Sequence, residues 1–401
     1  MPEVKKKGYI SSHRPPRIAR GDSVQGMVYS IQILRGVAAL LVVLYHYSHY
    51  LMPTIPGANI GYVLFGGGYA GVDIFFIISG FIIVLSTERK EHANPLDFSI
   101  RRFFRVVPLA QFATVIYALI LRVPPSPKLL WQSLLFLPRA DVDPPKFGLP
   151  VVNQEWTLSY ELIFYAIFAW ALIFTHRRRV ITAAFATLAC VVGFQWLLGG
   201  PISPVPNSVY LPAKYNGVLS PEVLGLLGNP IMLEFVFGML LAAAYLRTEI
   251  WLRSEKSLVA RWSVGLLLAI VFLGSYFSRA DPGNGLLNKG FGAACLVTGM
   301  LLMEDFFTRP SAGGLGGRIL SCFLWLGSIS YALYLVHLGI SERLLRLLVH
   351  LLMAQNVDGL WGFLALMAES LLLAWAVNVF VERYLIRAGK LLIEYKNKLA
   401  G

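Results

Sequence analysis

Charge is what this chain has least of. Asp, Glu, Lys and Arg supply 14% of its 401 residues, where a soluble domain carries about 25%. With 56% hydrophobic residues, too little polar surface is left for a soluble fold. Cysteine is nearly missing as well. Cys190, Cys295 and Cys322 lie singly in apolar runs with no C-x-x-C spacing, so neither a disulfide framework nor a metal site is expected. The glycine-rich "FGGGYAG" at 65–71 lacks the Lys-Ser/Thr pair of a phosphate loop. No internal repeat is visible. The first apolar run lacks a short core followed by a small-residue cleavage site, so it reads as retained.

Long apolar runs are what the chain has in abundance. Crossing the hydrocarbon takes about 20 predominantly apolar residues. Runs near 29–51, 68–87, 106–122, 156–175, 180–198, 229–246, 262–278, 288–304, 318–340 and 360–382 meet or approach that length. The expected fold is all-α, a polytopic membrane helix bundle with about ten transmembrane helices. Two further pieces, 128–137 and 342–354, have the short or amphipathic pattern of interfacial helices. The net charge of +13 would suit nucleic acid, but the basic residues cluster between apolar runs, so no nucleic-acid partner is expected. Of the 35 Lys and Arg residues, 26 fall on one side of the alternating topology and nine on the other. That asymmetry puts both termini in the cytoplasm. The expected organisation is a basic mobile cytoplasmic tail over 1–27, a transmembrane domain over 28–390 and a polar cytoplasmic tail over 391–401, with the lipid bilayer as partner.

Ionisable residues inside apolar runs are the candidates for function. In "YSIQILRGVAALLVVLYHYSHYL", Arg35 and His46 are eleven positions apart. At 3.6 residues per turn they share a helix face, about 16 Å apart along the axis. Asp73, Glu161, Glu234 and His337 fall at the same outer depth as His46 once the orientation is set, which predicts a shared polar pocket. Arg101, Arg102 and Arg105 in "FSIRRFFRVVP" lie with Arg35 at the inner boundary, where guanidinium forks suit phosphate oxygens. Plainer roles stand beside these. Arg35 would serve as a snorkelling anchor, the 101–105 arginines as topology charges, Asp73 as a cap of its own helix and Glu161 as an interfacial residue beside Trp156 and Tyr160. For Glu234 and His337 the plain structural role is the favoured one, and Gly80 suits close helix packing.

Six segments in this order, "SIQILRGVAALLVVLYH", "GVDIFFIISGF", "RRFFRVVP", "WTLSYELIFY", "LEFVFGM" and "SYALYLVH", resemble the acyltransferase 3 family of integral-membrane acyltransferases. The chain looks most like its bacterial exopolysaccharide O-acetyltransferases, from about Ser30 to Glu382. The resemblance implies a ten-helix core in the bacterial cytoplasmic (inner) membrane. It implies transfer of an acyl group, usually acetyl, from acetyl-CoA (acyl-CoA) to a hydroxyl of a polysaccharide or lipid-linked oligosaccharide acceptor, with no metal. In the family the first-helix arginine and histidine are central, as is the arginine motif before the third helix; these fall on Arg35, His46, Arg102 and Arg105. The family's C-terminal E-x-P stands here as Glu382, Arg383 and Tyr384, without the proline.

The expected mechanism has His46 as general base or, second to that, as a transient acyl carrier, oriented by Asp73 or Glu161. Arg35, Arg101, Arg102 and Arg105 hold the phosphates of coenzyme A. Ser79, Tyr160, Tyr165, Glu234 and His337 contact donor or acceptor, and an open passage joins the two levels. A secondary transporter or flippase for a glycan or lipid-linked sugar is the rival reading, because transporters also place charges inside the membrane. A non-catalytic export scaffold is a second.

Overall fold

A computed structural model describes residues 27–54, 60–89, 93–121, 123–140, 142–252, 254–278, 283–308, 314–351 and 359–400. The tail expected over 1–27 therefore lies outside the described residues, apart from Met27. Within them the secondary structure is helical, without strands. Ten helices form the body. They are α1 (Tyr29–Tyr47), α2 (Ala70–Ser86), α3 (Pro95–Ile120), α4 (Trp156–Phe174) and α5 (Arg179–Leu197), followed by α6 (Leu233–Leu252), α7 (Leu258–Phe277), α8 (Lys289–Leu302), α9 (Leu315–Val336) and α10 (Gly359–Val377). Helix α11 (Arg383–Ala400) follows α10. Nine membrane-length apolar helical segments occur among the described residues, and α8, with 14 residues, is shorter. At 1.5 Å per residue α8 is about 21 Å long, less than the roughly 30 Å hydrocarbon core.

Helix directions follow from which residues meet. Gln32 donates to the Leu324 carbonyl and Arg35 to Ser330, so α1 and α9 run parallel. Phe76 packs on Phe235 and Phe81 on Tyr245, so α2 and α6 run parallel too. At the start of α1 the Tyr29 and Ser30 amides donate to Glu304, just past α8. Lys396 in α11 pairs with Asp97 in the first turn of α3. The two ends of the helical body therefore share one end of the bundle, called here the first end.

Close crossings are made where side chains are missing. A Cβ on Gly36 would lie 2.7 Å from the Gly327 nitrogen, and one on Gly238 3.0 Å from the Phe81 nitrogen. Both contacts suit the small-residue packing of membrane helices. The structure also moves three expected boundaries. Helix α3 starts at Pro95, about three turns before the apolar run, because Asn94 accepts from the Leu96 and Asp97 amides and Pro95 occupies the first turn. Arginine is a good helix former, so the three arginines lie on the helix and not before it. Helix α9 stops at Val336, where Leu338 is extended and Gly339 has φ +84°, a conformation glycine adopts at little cost. At the other motif Tyr384 replaces the family's proline and keeps its N–H. The chain remains helical from α10 through Asn378–Glu382 into α11, so no break appears at 390 and the expected polar tail is part of a helix.

Candidate active site

Five helices and α11 enclose a cavity of about 420 Å³. Helix α1 contributes Arg35, and α3 contributes Arg101, Arg102 and Arg105. From α2 the lining residues are Val72, Phe75, Ser79, Ile82 and Ser86 with two neighbours. Their three- and four-residue steps trace one helix stripe. Glu161 and Tyr165 come from α4, Ser330 and Tyr334 from α9, and Ile386 and Lys390 from α11.

Arg35 and Arg102 are held by neutral groups. Arg35 donates to Gln32 Oε1 at 3.1 Å and Ser330 Oγ at 3.2 Å. Arg102 donates to Ser86 Oγ at 2.9 Å, with its guanidinium carbon 5.6 Å from the Phe98 ring centre and 5.4 Å from that of Tyr165. Glu161 accepts from Ser79 Oγ at 2.9 Å and from the Tyr165 hydroxyl. Among the described residues, Arg35, Arg102 and Arg105 form no ion pair with a carboxylate. Three half-buried cations around one cavity, without counter-ions, make a site for an anion with several oxygens.

The expected outer pocket does not form as one unit. His46 Nδ1 lies 2.9 Å from the Val42 carbonyl and 3.2 Å from His337 Nε2. A carbonyl only accepts, so Nδ1 carries the hydrogen. His337 Nδ1 lies 3.1 Å from the Leu333 carbonyl and carries its own, which leaves His337 Nε2 to accept from His46. The tautomers that satisfy both rings leave His46 Nε2 with a bare lone pair. Neither Asp73 nor Glu161 hydrogen-bonds to His46. The expected carboxylate partner is replaced by His337.

Asp73 is one position off the cavity stripe of α2, about 100° around the helix, and so faces α6 and the segment before α8. It accepts from Asn284 Nδ2 at 2.7 Å and the Gly285 amide at 2.8 Å, with the Glu234 carboxyl against it. Both side chains are fully buried, and neither Glu234 oxygen has a hydrogen-bond partner among the described residues. Glu234 does not line the cavity. Tyr160, expected as a substrate contact, is buried and donates to the Pro145 carbonyl at 2.5 Å. It ties down the loop between α3 and α4 instead.

The cavity does not reach the histidines. Its lining extends to Val72, Thr157 and Tyr334, the Phe75 and Tyr334 rings meet edge-on at 5.7 Å, and neither His46 nor His337 lines it. Tyr334 in turn lies 6.1 Å from the His337 ring, with its hydroxyl 2.9 Å from Thr157 Oγ1. Tyr334 thus lies between the cavity, which it lines, and the His337 ring. Ser330, Tyr334 and His337 were missed or undervalued as a set, although their i, i+4, i+7 spacing marks one helix face. Lys390 carried no signal, because it follows the last apolar run.

A model of the acyltransferase domain of the acyltransferase 3 family matches residues 28–379. The exopolysaccharide production protein ExoZ of Rhizobium meliloti (strain 1021) is 31% identical over 278 residues, 67% of this chain and 75% of that protein. Acyltransferase MdmB of Streptomyces mycarofaciens is 26% identical over 348 residues, 80% of this chain and 79% of MdmB. O-acetyltransferase OatA of Staphylococcus aureus is 25% identical over 330 residues, which cover 76% of this chain but 49% of OatA. No solved structure matches significantly. The chain belongs to the acyltransferase 3 family and is a multi-pass membrane acyltransferase.

Proposed function

We propose that the protein moves an acetyl group, or another short acyl group, from cytoplasmic acyl-CoA to a hydroxyl of an extracytoplasmic or lipid-linked polysaccharide. Its place is then the bacterial inner membrane, with the first end of the bundle facing the cytoplasm. The observation that carries the reading is the set of three guanidinium groups at the cavity, those of Arg35, Arg102 and Arg105, that form no ion pair with a described carboxylate. A coenzyme A thioester offers them a pyrophosphate, and its pantetheine arm is long and narrow enough to follow the stripe of α2 towards Phe75 and Tyr334. The printed names of ExoZ and OatA, which speak of exopolysaccharide production and O-acetyl transfer, agree with such an acceptor and acyl group.

In this reading the thioester must pass the Phe75–Tyr334 pair to meet the acceptor. His46 Nε2 takes the proton of the acceptor hydroxyl while its oxygen attacks the thioester carbon. The carbon–sulfur bond breaks, and the imidazolium returns the proton to the leaving thiolate. His337 keeps His46 in the tautomer that presents Nε2. Ser79, Glu161 and Tyr165 form a hydroxyl–carboxylate group beside the donor path. No step calls for a metal, and the described residues contain no group of three or more His, Cys, Asp or Glu placed to hold one.

The test is a purified-protein assay with acetyl-CoA and a saccharide acceptor, alongside vesicles that report sugar flux. Acceptor-dependent thiol release is expected, and it disappears in His46→Ala and Arg35→Ala variants that still insert. Flux without thiol release would favour the transporter. Full acetylation by either variant would remove the assignment of that residue.

A further inference from the structure

We propose that Lys390 of α11 binds the outermost phosphate of the coenzyme A donor, so that α11 completes the donor site. The inference rests on the donor reading given under Proposed function and extends it to a helix outside the apolar runs. Three observations carry it. Lys390 and Ile386 line the arginine cavity. The Lys390 side chain is exposed at the cavity's edge and forms no ion pair with a described carboxylate. Helix α11 is also fixed in register along the start of α3.

That register has two points. A Cβ on Gly389 would lie 2.8 Å from Phe104 Cβ, so glycine is what lets the two helices meet there. One end further, Lys396 pairs with Asp97. The two contacts are seven positions apart on each helix, about 10 Å, and they run in opposite senses, so the helices are antiparallel. Lys390, next to Gly389, is thereby held opposite the 101–105 stretch that carries the arginines.

The cavity also has an order along its length. Val72, Thr157 and Tyr334 line it at the end nearer the histidines, whereas Ser86, Arg101 and Lys390 line it at the first end of the bundle. A coenzyme A thioester has its reactive carbonyl at one end and its 3′-phosphate at the other. A thioester directed towards Tyr334 leaves that phosphate beside Lys390. An ammonium on a flexible stem suits a terminal phosphate that keeps part of its hydration.

Anionic lipid headgroups offer the same phosphate chemistry, so the test separates the two. Binding of coenzyme A and of 3′-dephospho-coenzyme A is measured for the full chain in zwitterionic nanodiscs and in nanodiscs with phosphatidylglycerol. Expected is a loss of about tenfold in coenzyme A affinity for Lys390→Gln, no loss for the dephospho ligand, and the same pattern in both lipids. Gly389→Leu, which pushes α11 off Phe104, gives the same ligand-selective loss without removing a charge. An unchanged affinity in Lys390→Gln, with Arg102→Ala still weakening binding, overturns the inference and leaves the donor site standing. Unchanged affinity in both overturns both. Equal weakening for the two ligands, or an effect seen only with phosphatidylglycerol, also overturns the assignment.

Discussion

At the first end of the bundle Arg35, Arg102 and Arg105 face a cavity of about 420 Å³, and none of them meets a carboxylate in an ion pair. Towards the other end Asp73 faces Glu234 and His46 faces His337, each pair in direct contact. The first region holds charge ready for a ligand that the protein does not supply. The second turns its ionisable groups towards one another: Asp73 accepts from Asn284 and Gly285 and His46 donates to His337, while His46 Nε2 and both Glu234 oxygens are left without a hydrogen-bond partner among the described residues. Unpaired cations around a cavity are costly unless something answers them, so they mark binding. Groups turned towards one another inside the packing mark positioning or stability. The difference separates residues that look alike in the sequence: Asp73, Glu161 and Glu234 are all carboxylates inside apolar runs, yet only Glu161 lines the cavity.

The sharpest way to break the comparison is through His337. If its role is to accept from His46 Nδ1, His337→Ala lowers kcat by about 10- to 100-fold, the usual cost of losing such an orienting partner. The donor KM should hold, because the arginine cavity is untouched. His337→Gln keeps an acceptor on a side chain of similar reach and recovers part of the rate. Steady-state kinetics with both substrates varied checks this. A His337→Ala enzyme with normal kcat would leave the histidine contact as packing alone.

The Asp73–Glu234 pair should respond in stability first. Asp73→Ala leaves Asn284 Nδ2 and the Gly285 amide without their acceptor, at about 1–3 kcal/mol for each buried group. Thermal unfolding in detergent should drop accordingly, while kcat per folded molecule changes less than in His337→Ala. The reverse order, full stability with lost turnover, would return Asp73 to the reaction.

How much of this could be read beforehand depends on the kind of signal. The helices follow from apolar runs, and the shared face of Arg35 and His46 follows from helix geometry alone. Both survive in the structure. The partner of His46 does not follow. That Asp73, Glu161, Glu234 and His337 lie inside apolar runs was legible, but not which way each side chain turns, and Glu161 meets Ser79 in the arginine cavity and not the level of Asp73 and His46. One position on α2 separates Asp73 from the cavity stripe, and that rotation is set by which helices pack on which face. The start of α3 was misplaced for a simpler reason. Hydropathy falls at arginines, whereas the helix begins at its Asn94 cap. Helix α11 escaped attention because its amphipathic pattern reads as a tail until Gly389 is seen against Phe104.

The smallest effect concerns a carboxylate at the first end, where the arginines lack such a partner. Glu304 sits just past α8 and accepts from the Tyr29 and Ser30 amides at 2.7 and 2.9 Å, a cap for α1 supplied by a different helix. Burial pushes its carboxyl up from the ordinary 4.5, against the pull of those two N–H donors. For an acid with a raised folded-state pKa, folding is favoured most when the group is protonated in both states. That contribution is present below the ordinary carboxylate range and is lost as pH rises through the folded value. Wild-type thermal stability should therefore sag slightly from mildly acidic pH towards neutrality. Glu304→Gln cannot titrate, so its curve should be flatter over the same window, although it is lower throughout because one of the two helix amides meets an NH₂ group. A wild-type curve that rises with pH while the Gln curve stays flat would mean that the ionised cap wins over burial. In that case the first end would satisfy its Glu304 carboxylate within the fold, and the arginine cavity would stand out more sharply as the place where charge is left for a ligand.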